Sequence, residues 1–124
     1  MKEYATYMPS VNQVEFNPWL QRHHLKQATE DAGAKLMAYS PLARGHKVDD
    51  HELGAIAERL GCTPAQVAIK FCYDEGCITI PKSSNPSRII ENFASLDVDI
   101  SSEIEAIRAL ECNYVSGWDP TTQP

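Results

Sequence analysis

Apolar and polar side chains alternate from Val11 to Phe16 (VNQVEF), a period of two that predicts a half-buried strand, and Asn17-Pro18 stops it in a turn. From Leu20 to Asp31 the period lengthens to that of a helix, with Leu25, Ala28 and Ala32 on one face and Gly33 placed to end it. Lys35 to Tyr39 (KLMAY) predicts a second strand, closed by Ser40-Pro41. A short loop from Leu42 to Val48 carries Arg44-Gly45, after which Asp49 or Asp50 can cap a helix reaching Leu60. Leu53, Ile56, Ala57 and Leu60 follow the helical apolar rule, and Gly61 is the stop signal. Thr63-Pro64-Ala65-Gln66 then has the form of a capping box with proline in the first helical position, opening a helix that ends near Gly76.

The stretch from Cys77 to Asn92 (CITIPKSSNPSRIIEN) organises the remainder. Cys77 to Ile80 predicts a short buried strand, Asn85 can cap the next helix, and Pro86 takes its first position, where a missing N–H costs nothing. Ile89, Phe93 and Leu96 fall on one face, expected to pack, while Arg88, Glu91 and Asn92 share another that can hold a ligand. Ser101 or Ser102 starts a last helix with Ile104, Ile107 and Leu110, and the tail from Asn113 is irregular. The order β, α, β, α, α, β, α, α predicts an α/β fold with parallel strands and right-handed crossovers. No GxGxxG and no GxxxxGK[ST] follows any strand, so neither glycine-rich phosphate loop is present.

Composition narrows this picture. At 124 residues and 43% hydrophobic content the chain is about one domain long. A net charge of −6 argues against a nucleic-acid partner, because holding a phosphate backbone needs a broad basic surface. No apolar run is long enough to span a bilayer and MKEYATYMPS has no secretory h-region, so no membrane partner and a cytoplasmic location are expected. Cys62, Cys72, Cys77 and Cys112 form no CxxC pair and read as reduced thiols, mostly of the core. No metal site is expected: His23 and His24 are adjacent and point apart on a helix, and His46 and His51 sit in a polar connection.

Against that acidic background, any cationic site must be local. Free N–H groups and the positive end of the helix after Pro86 are expected beside Lys82, two serine hydroxyls and Arg88, which together suit a phosphate. A capped helix with a solvated cationic rim is the alternative. Gln13, Tyr39-Ser40 and Lys82-Ser83 all lie in or just past strands, and in α/β architectures ligands bind at the C-terminal strand ends. The three corners could form one site.

NQVEFNPWLQ, AYSPLARG, TPAQVAIKF and IPKSSNPSRIIEN, in that order, resemble the C-terminal part of the aldo-keto reductases, a match over nearly the whole chain. The resemblance implies a (β/α)8 TIM barrel that binds NADP(H) without a Rossmann domain and reduces aldehydes and ketones. It implies that residues 1–124 correspond to strands six to eight and the following helices, a partial barrel of three parallel strands with crossover helices whose N-terminal part is absent. By position, Gln13 resembles the glutamine that bonds the nicotinamide carboxamide, and Tyr39 the tyrosine that stacks on the nicotinamide ring. Ser40 and Leu42 match positions that touch the pyrophosphate; Lys82, Ser83 and Arg88 resemble the group holding the 2′-phosphate; Glu91 and Asn92 resemble adenine contacts. Gln13 could instead satisfy backbone groups inside a barrel, Tyr39 could pack at a barrel rim, and Trp118 could line a substrate pocket or stand exposed.

The same resemblance implies that the family's catalytic aspartate, tyrosine, lysine and histidine come from the first half of the barrel. Tyr4 and Tyr7 do not match the catalytic motif, so no catalytic residue is expected in this chain. A complete barrel takes about 250 residues and eight strands. Three strands would leave unpaired edges, through which the chain could self-associate. The expected function is an NADPH-dependent oxidoreductase acting on a small carbonyl substrate in the intact protein, represented here by its cofactor-binding part. The alternative is a truncated remnant, a nucleotide-binding or interaction module without reductase activity.

Overall fold

Three helices of the chain start where a polar side chain closes the first turn, two of them with proline in the first position, and helices separate the strands. The computed structural model describes residues 3–122. In chain order it has β1 (Val11–Glu15), α1 (His23–Asp31), β2 (Lys35–Tyr39), α2 (His51–Leu60), α3 (Pro64–Asp74), β3 (Ile78–Thr79), α4 (Pro86–Ala94) and α5 (Ile104–Arg108). Asp50 caps α2 by accepting from the Leu53 N–H, and Gly61 ends that helix at φ 66°, a left-handed conformation that glycine adopts without Cβ strain. Thr63 and Gln66 exchange the two bonds of a capping box at α3, and Asn85 caps α4 ahead of Pro86.

All strands are parallel in the order β1-β2-β3, with Gln13 opposite Met37 and Met37 opposite Ile78. The pleat sends Val14, Leu36 and Ala38 to one face, where they join Leu53, Ile56 and Ala57 of α2, Val67, Phe71 and Cys72 of α3, and Ile100, Ile107 and Leu110. Phe16 and Phe71 stack at its centre with ring centroids 6.1 Å apart, and burying each contributes about 2 to 3 kcal/mol. Gln13, Met37 and Ile78 occupy the opposite face, where Gln13 and Ile78 are exposed.

Three expectations from the pattern are corrected. The first helix begins at His23, not Leu20, because Asn17 and Leu20 exchange backbone hydrogen bonds of 3.2 and 3.0 Å and Arg22 sits at φ 44°, which breaks helical continuity. β3 is two residues long rather than four: it borders only β2, and beyond Thr79 one bond remains, from the Ile80 N–H to the Ala38 carbonyl at 3.2 Å. The face of Ile89, Phe93 and Leu96 does not pack. Phe93 is 75% exposed and its neighbour Ile90 72%, since no described element lies beyond the β3 edge to receive them.

Candidate functional site at the C-terminal strand ends

Where β2 leaves the sheet, Ser40, Ala43 and Arg44 take φ values of 50°, 46° and 56°. Left-handed backbone at a residue with a Cβ costs about 1 kcal/mol or more each, and such strain is held only where surrounding structure over-determines the loop. The turn folds the segment from Pro41 to Val48 over the N-terminus of α3. At the next corner, β3 passes through Pro81, Lys82 and Ser83 into α4. Ser83 accepts from the Asn85 N–H at 3.1 Å, fixing that turn.

These two corners and the start of α3 enclose a cavity of about 570 Å³, within the range of about 300–1,000 Å³ usual for small-molecule sites. Ser40, Leu42, Lys82, Ser83, Arg88, Glu91 and Asn92 line it, so seven of the nine residues singled out in the sequence come together. Glu91 is fixed: the Thr63 hydroxyl donates to its Oε1 at 2.6 Å, and Gln66 Nε2 donates to its carbonyl oxygen at 3.4 Å. The same hydroxyl accepts from the Gln66 N–H at 3.2 Å, so one threonine both caps α3 and holds the acid of α4.

The lining is strongly cationic within an acidic chain. Arg44, Lys47, Lys82 and Arg88 face one acidic side chain, Glu91. Lys47 already has a partner in Asp50 at 3.8 Å and lies 5.0 Å from the Tyr114 ring centroid. Among the described residues the charged groups of Arg44, Lys82 and Arg88 make no ion pair. An anion entering the cavity would therefore meet guanidinium and ammonium groups whose hydrogens are not already committed.

The anion site differs from the expectation in one respect. The first turn of α4 offers no free N–H, because Asn85 Oδ1 accepts from Ser87 N at 2.9 Å and Arg88 N at 3.4 Å, and Ile89 N bonds to the Asn85 carbonyl. An anion here would therefore meet the side chains of Lys82, Ser83 and Arg88.

Gln13 and Tyr39 are not in the cavity. They sit on the open face of the sheet, where Tyr39 pairs in register with Glu15, two residues beyond Gln13 or about 7 Å along β1. Gln13 Nε2 donates to Met37 Sδ at 3.0 Å. Trp118 is 63% exposed and lines no part of the cavity.

Sequence reasoning missed Trp19, Arg44, Lys47 and Thr63 as lining residues. Arg44 was legible in AYSPLARG as an uncommitted cation next to a strand end; the second bond of Thr63 was not. It also assigned no role to Glu15, which is 2% exposed and accepts from Ser116 N at 3.0 Å, from Ser116 Oγ and from Asn17 Nδ2 at 3.4 Å. Burial raises the thiols of Cys72 and Cys77, the latter to about 11, so both stay protonated core groups.

Residues 49–111 match the profile of the aldo/keto reductase family. Over 113 residues the chain is 42% identical to aldose reductase B of Dictyostelium discoideum, covering 89% of this chain and 36% of that protein. It is 38% identical over 117 residues to glyoxal reductase of Bacillus subtilis, covering 94% and 42%. The crystal structure of a Gox0644 mutant in complex with NADPH aligns with a TM-score of 0.85 at 34% identity, over 95% of this chain and 44% of that one. The chain thus spans about two fifths of the length of the relatives it matches.

Proposed function

The chain belongs to the aldo/keto reductase family, and from that premise we propose that it is the part of an NADP(H)-dependent oxidoreductase that holds the phosphorylated end of the cofactor. One observation carries the reading: Lys82 and Arg88, without ion pairs among the described residues, share a cavity with Ser83, with Glu91 held by Thr63, and with Asn92. The cations and hydroxyl suit a 2′-phosphate, and the acid and amide suit the edge of an adenine ring. Ser40 and Leu42 line the route toward the diphosphate. Gln13 and Tyr39, together on the open face, are assigned to the nicotinamide end, Gln13 bonding the carboxamide and Tyr39 packing on the ring.

When bound, NADPH supplies the hydride that reduces a carbonyl carbon. The chain's own residues bind and orient: the guanidinium of Arg88 fixes one end, apolar Leu53, Ile80 and Pro81 in the lining exclude water, and the sheet face sets where the ring lies. Small aldehydes or ketones are the proposed substrates, in keeping with relatives named as aldose and glyoxal reductases. Residues 1–124 are assigned binding, because the groups that the cavity and the open face present suit the cofactor's two ends. A nucleotide-holding module with no reductase activity is the second reading, favoured by a cavity whose cations and hydroxyl suit a nucleotide phosphate whatever chemistry follows. The open face and the edges of β1 and β3 are the proposed sites of self-association.

Calorimetric titration of the chain with NADPH and with NADH tests the proposal. Binding at least tenfold tighter for NADPH is expected; equal affinity would remove the 2′-phosphate role.

A further inference from the structure

We propose that two copies of this chain join head to tail, the β3 edge and α4 of each seated on the β1–α1 edge of the other. The inference takes further the self-association in the reading above and does not depend on its cofactor assignment. All three strands are parallel, and among the described residues β1 and β3 each border only β2, so the sheet ends in two unpaired edges. Beside β3, Ile78, Ile80, Ile89, Ile90, Phe93 and Leu96 are exposed. Four of them, Ile78, Ile89, Phe93 and Leu96, line a groove of about 830 Å³ between that edge, α3 and α4. Beside β1, Met8, Val11, Leu25, Ala28 and Ala32 line a second groove of about 470 Å³.

The two edges match in direction and in shape. A parallel strand added at β3 continues the alternation of strand and helix, in which a right-handed crossover places the helix after each strand over the gap to the next. α4, which follows β3, then falls over the joint and lies beside α1 of the added copy. It brings large side chains, Ile90 and Phe93 being its most exposed, while α1 presents Ala28 and Ala32, one turn apart, where a helix can approach closely. The exposed apolar side chains of the two edges, Met8 and Val11 included, hold roughly 700 Å² in each copy, close to the ~800 Å² per partner of a standard stable interface. A second copy is the occupant these edges select, because each copy carries both halves of the contact. A head-to-tail contact repeated about a twofold axis closes at two copies. The strands of both copies then form one parallel ring with no free edge, helices outside and Gln13, Met37 and Ile78 inside.

Phe93 and Ala28 both stand outside the core, so substitutions there leave a single copy folded. An interface near this size that lacks a buried charged anchor falls at the weak, micromolar end of the range, so the chain is expected to be a monomer at about 1 µM and a dimer at about 200 µM. Urea unfolding at about 1 µM therefore reads the single copy. Sedimentation equilibrium between these concentrations tests the proposal on the chain and its Phe93→Ser and Ala28→Glu variants, with circular dichroism of each. Both variants are expected to weaken the dimer by about tenfold or more, one from the α4 side and one from the α1 side. If Ala28→Glu does not fold, Ala28→Gln takes its place.

A dimer weakened by Phe93→Ser and indifferent to the Ala28 variant would mean that α4 meets α4 of the other copy, which overturns this arrangement and leaves self-association standing. A dimer indifferent to both variants would overturn it in the same way. Trimers and larger species in place of a closed dimer would overturn the ring. A chain that stays monomeric at about 200 µM would remove the inference and the self-association together, whatever its affinity for NADPH.

Discussion

The two ends of the sheet are finished in opposite ways. At the β1 end, Glu15, Asn17, Gln21 and Ser116 are buried polar residues most of whose polar atoms are bonded within the protein, Glu15 Oε2 and Gln21 Oε1 excepted: Ser116 N donates to Glu15 Oε1 at 3.0 Å, Gln21 Nε2 donates to the Arg108 carbonyl at 2.8 Å, and Arg22 bonds Asp119 at 3.0 Å. At the β3 end the strand is two residues long, Lys82 and Arg88 make no ion pair among the described residues, and the apolar face of α4 is open. Polar groups that have been matched internally hold a structure together and have little left to offer a ligand. The β3 end keeps its charge and its apolar surface uncommitted. The contrast is the physical ground for the binding site proposed at the corner where folding leaves groups unused.

The largest expected effect separates the core from that open surface. Phe71→Ala removes a ring stacked on Phe16 and should cost about 3 to 5 kcal/mol, whereas Phe93→Ser, at 75% exposure, should change stability by less than about 0.5 kcal/mol. Urea unfolding of the two variants reads both. A destabilisation by Phe93→Ser comparable to that of Phe71→Ala would mean that the α4 face is covered in solution.

A smaller effect is expected at the β1 end. Glu15→Ala removes Oε1, the one oxygen that accepts from both Ser116 donors, for a loss of about 1 to 3 kcal/mol. The tail after Asn113 should then become accessible to protease before the rest of the chain. Unchanged cleavage would show that Glu15 does not hold the tail.

The pH dependence of the same tail is a finer test. Hydrogen bonds from the Thr121 backbone and side chain, with Arg22 beside them, hold the Asp119 carboxyl below its ordinary value of 3.8. A lowered carboxyl stabilises the folded state fully above that ordinary value and loses the contribution as pH falls through its folded value. Tail protection from hydrogen exchange should therefore be flat from pH 8 to pH 5 and fall below about pH 3.8. A loss of protection between pH 8 and pH 5 would point to another group.

The comparison also explains how far the sequence could be read. Strand and helix placement followed from short-range chemistry: the alternation in VNQVEF, the capping box at Thr63 and the Asn85-Pro86 start are all decided within a few residues. Seven residues lining the cavity were legible because they cluster in two short motifs at strand ends. What was not legible depends on partners far away in the chain. Glu15 and Ser116 lie 101 positions apart, and no local pattern marks a carboxylate as a latch for a tail. The exposed face of α4 was misread for the converse reason: its period fits a packed helix, and periodicity reports that a face is apolar, not that something covers it.

The central claim is that the β3–α4 corner reads the 2′-phosphate of NADP(H), and the most direct measurement is the change in cofactor discrimination on removing one of its cations. The ratio of NADH to NADPH dissociation constants should fall by about tenfold or more in Arg88→Ala, as expected for one charge-assisted phosphate contact, with NADH affinity nearly unchanged. A variant that weakens both cofactors by the same factor, or neither, would contradict it.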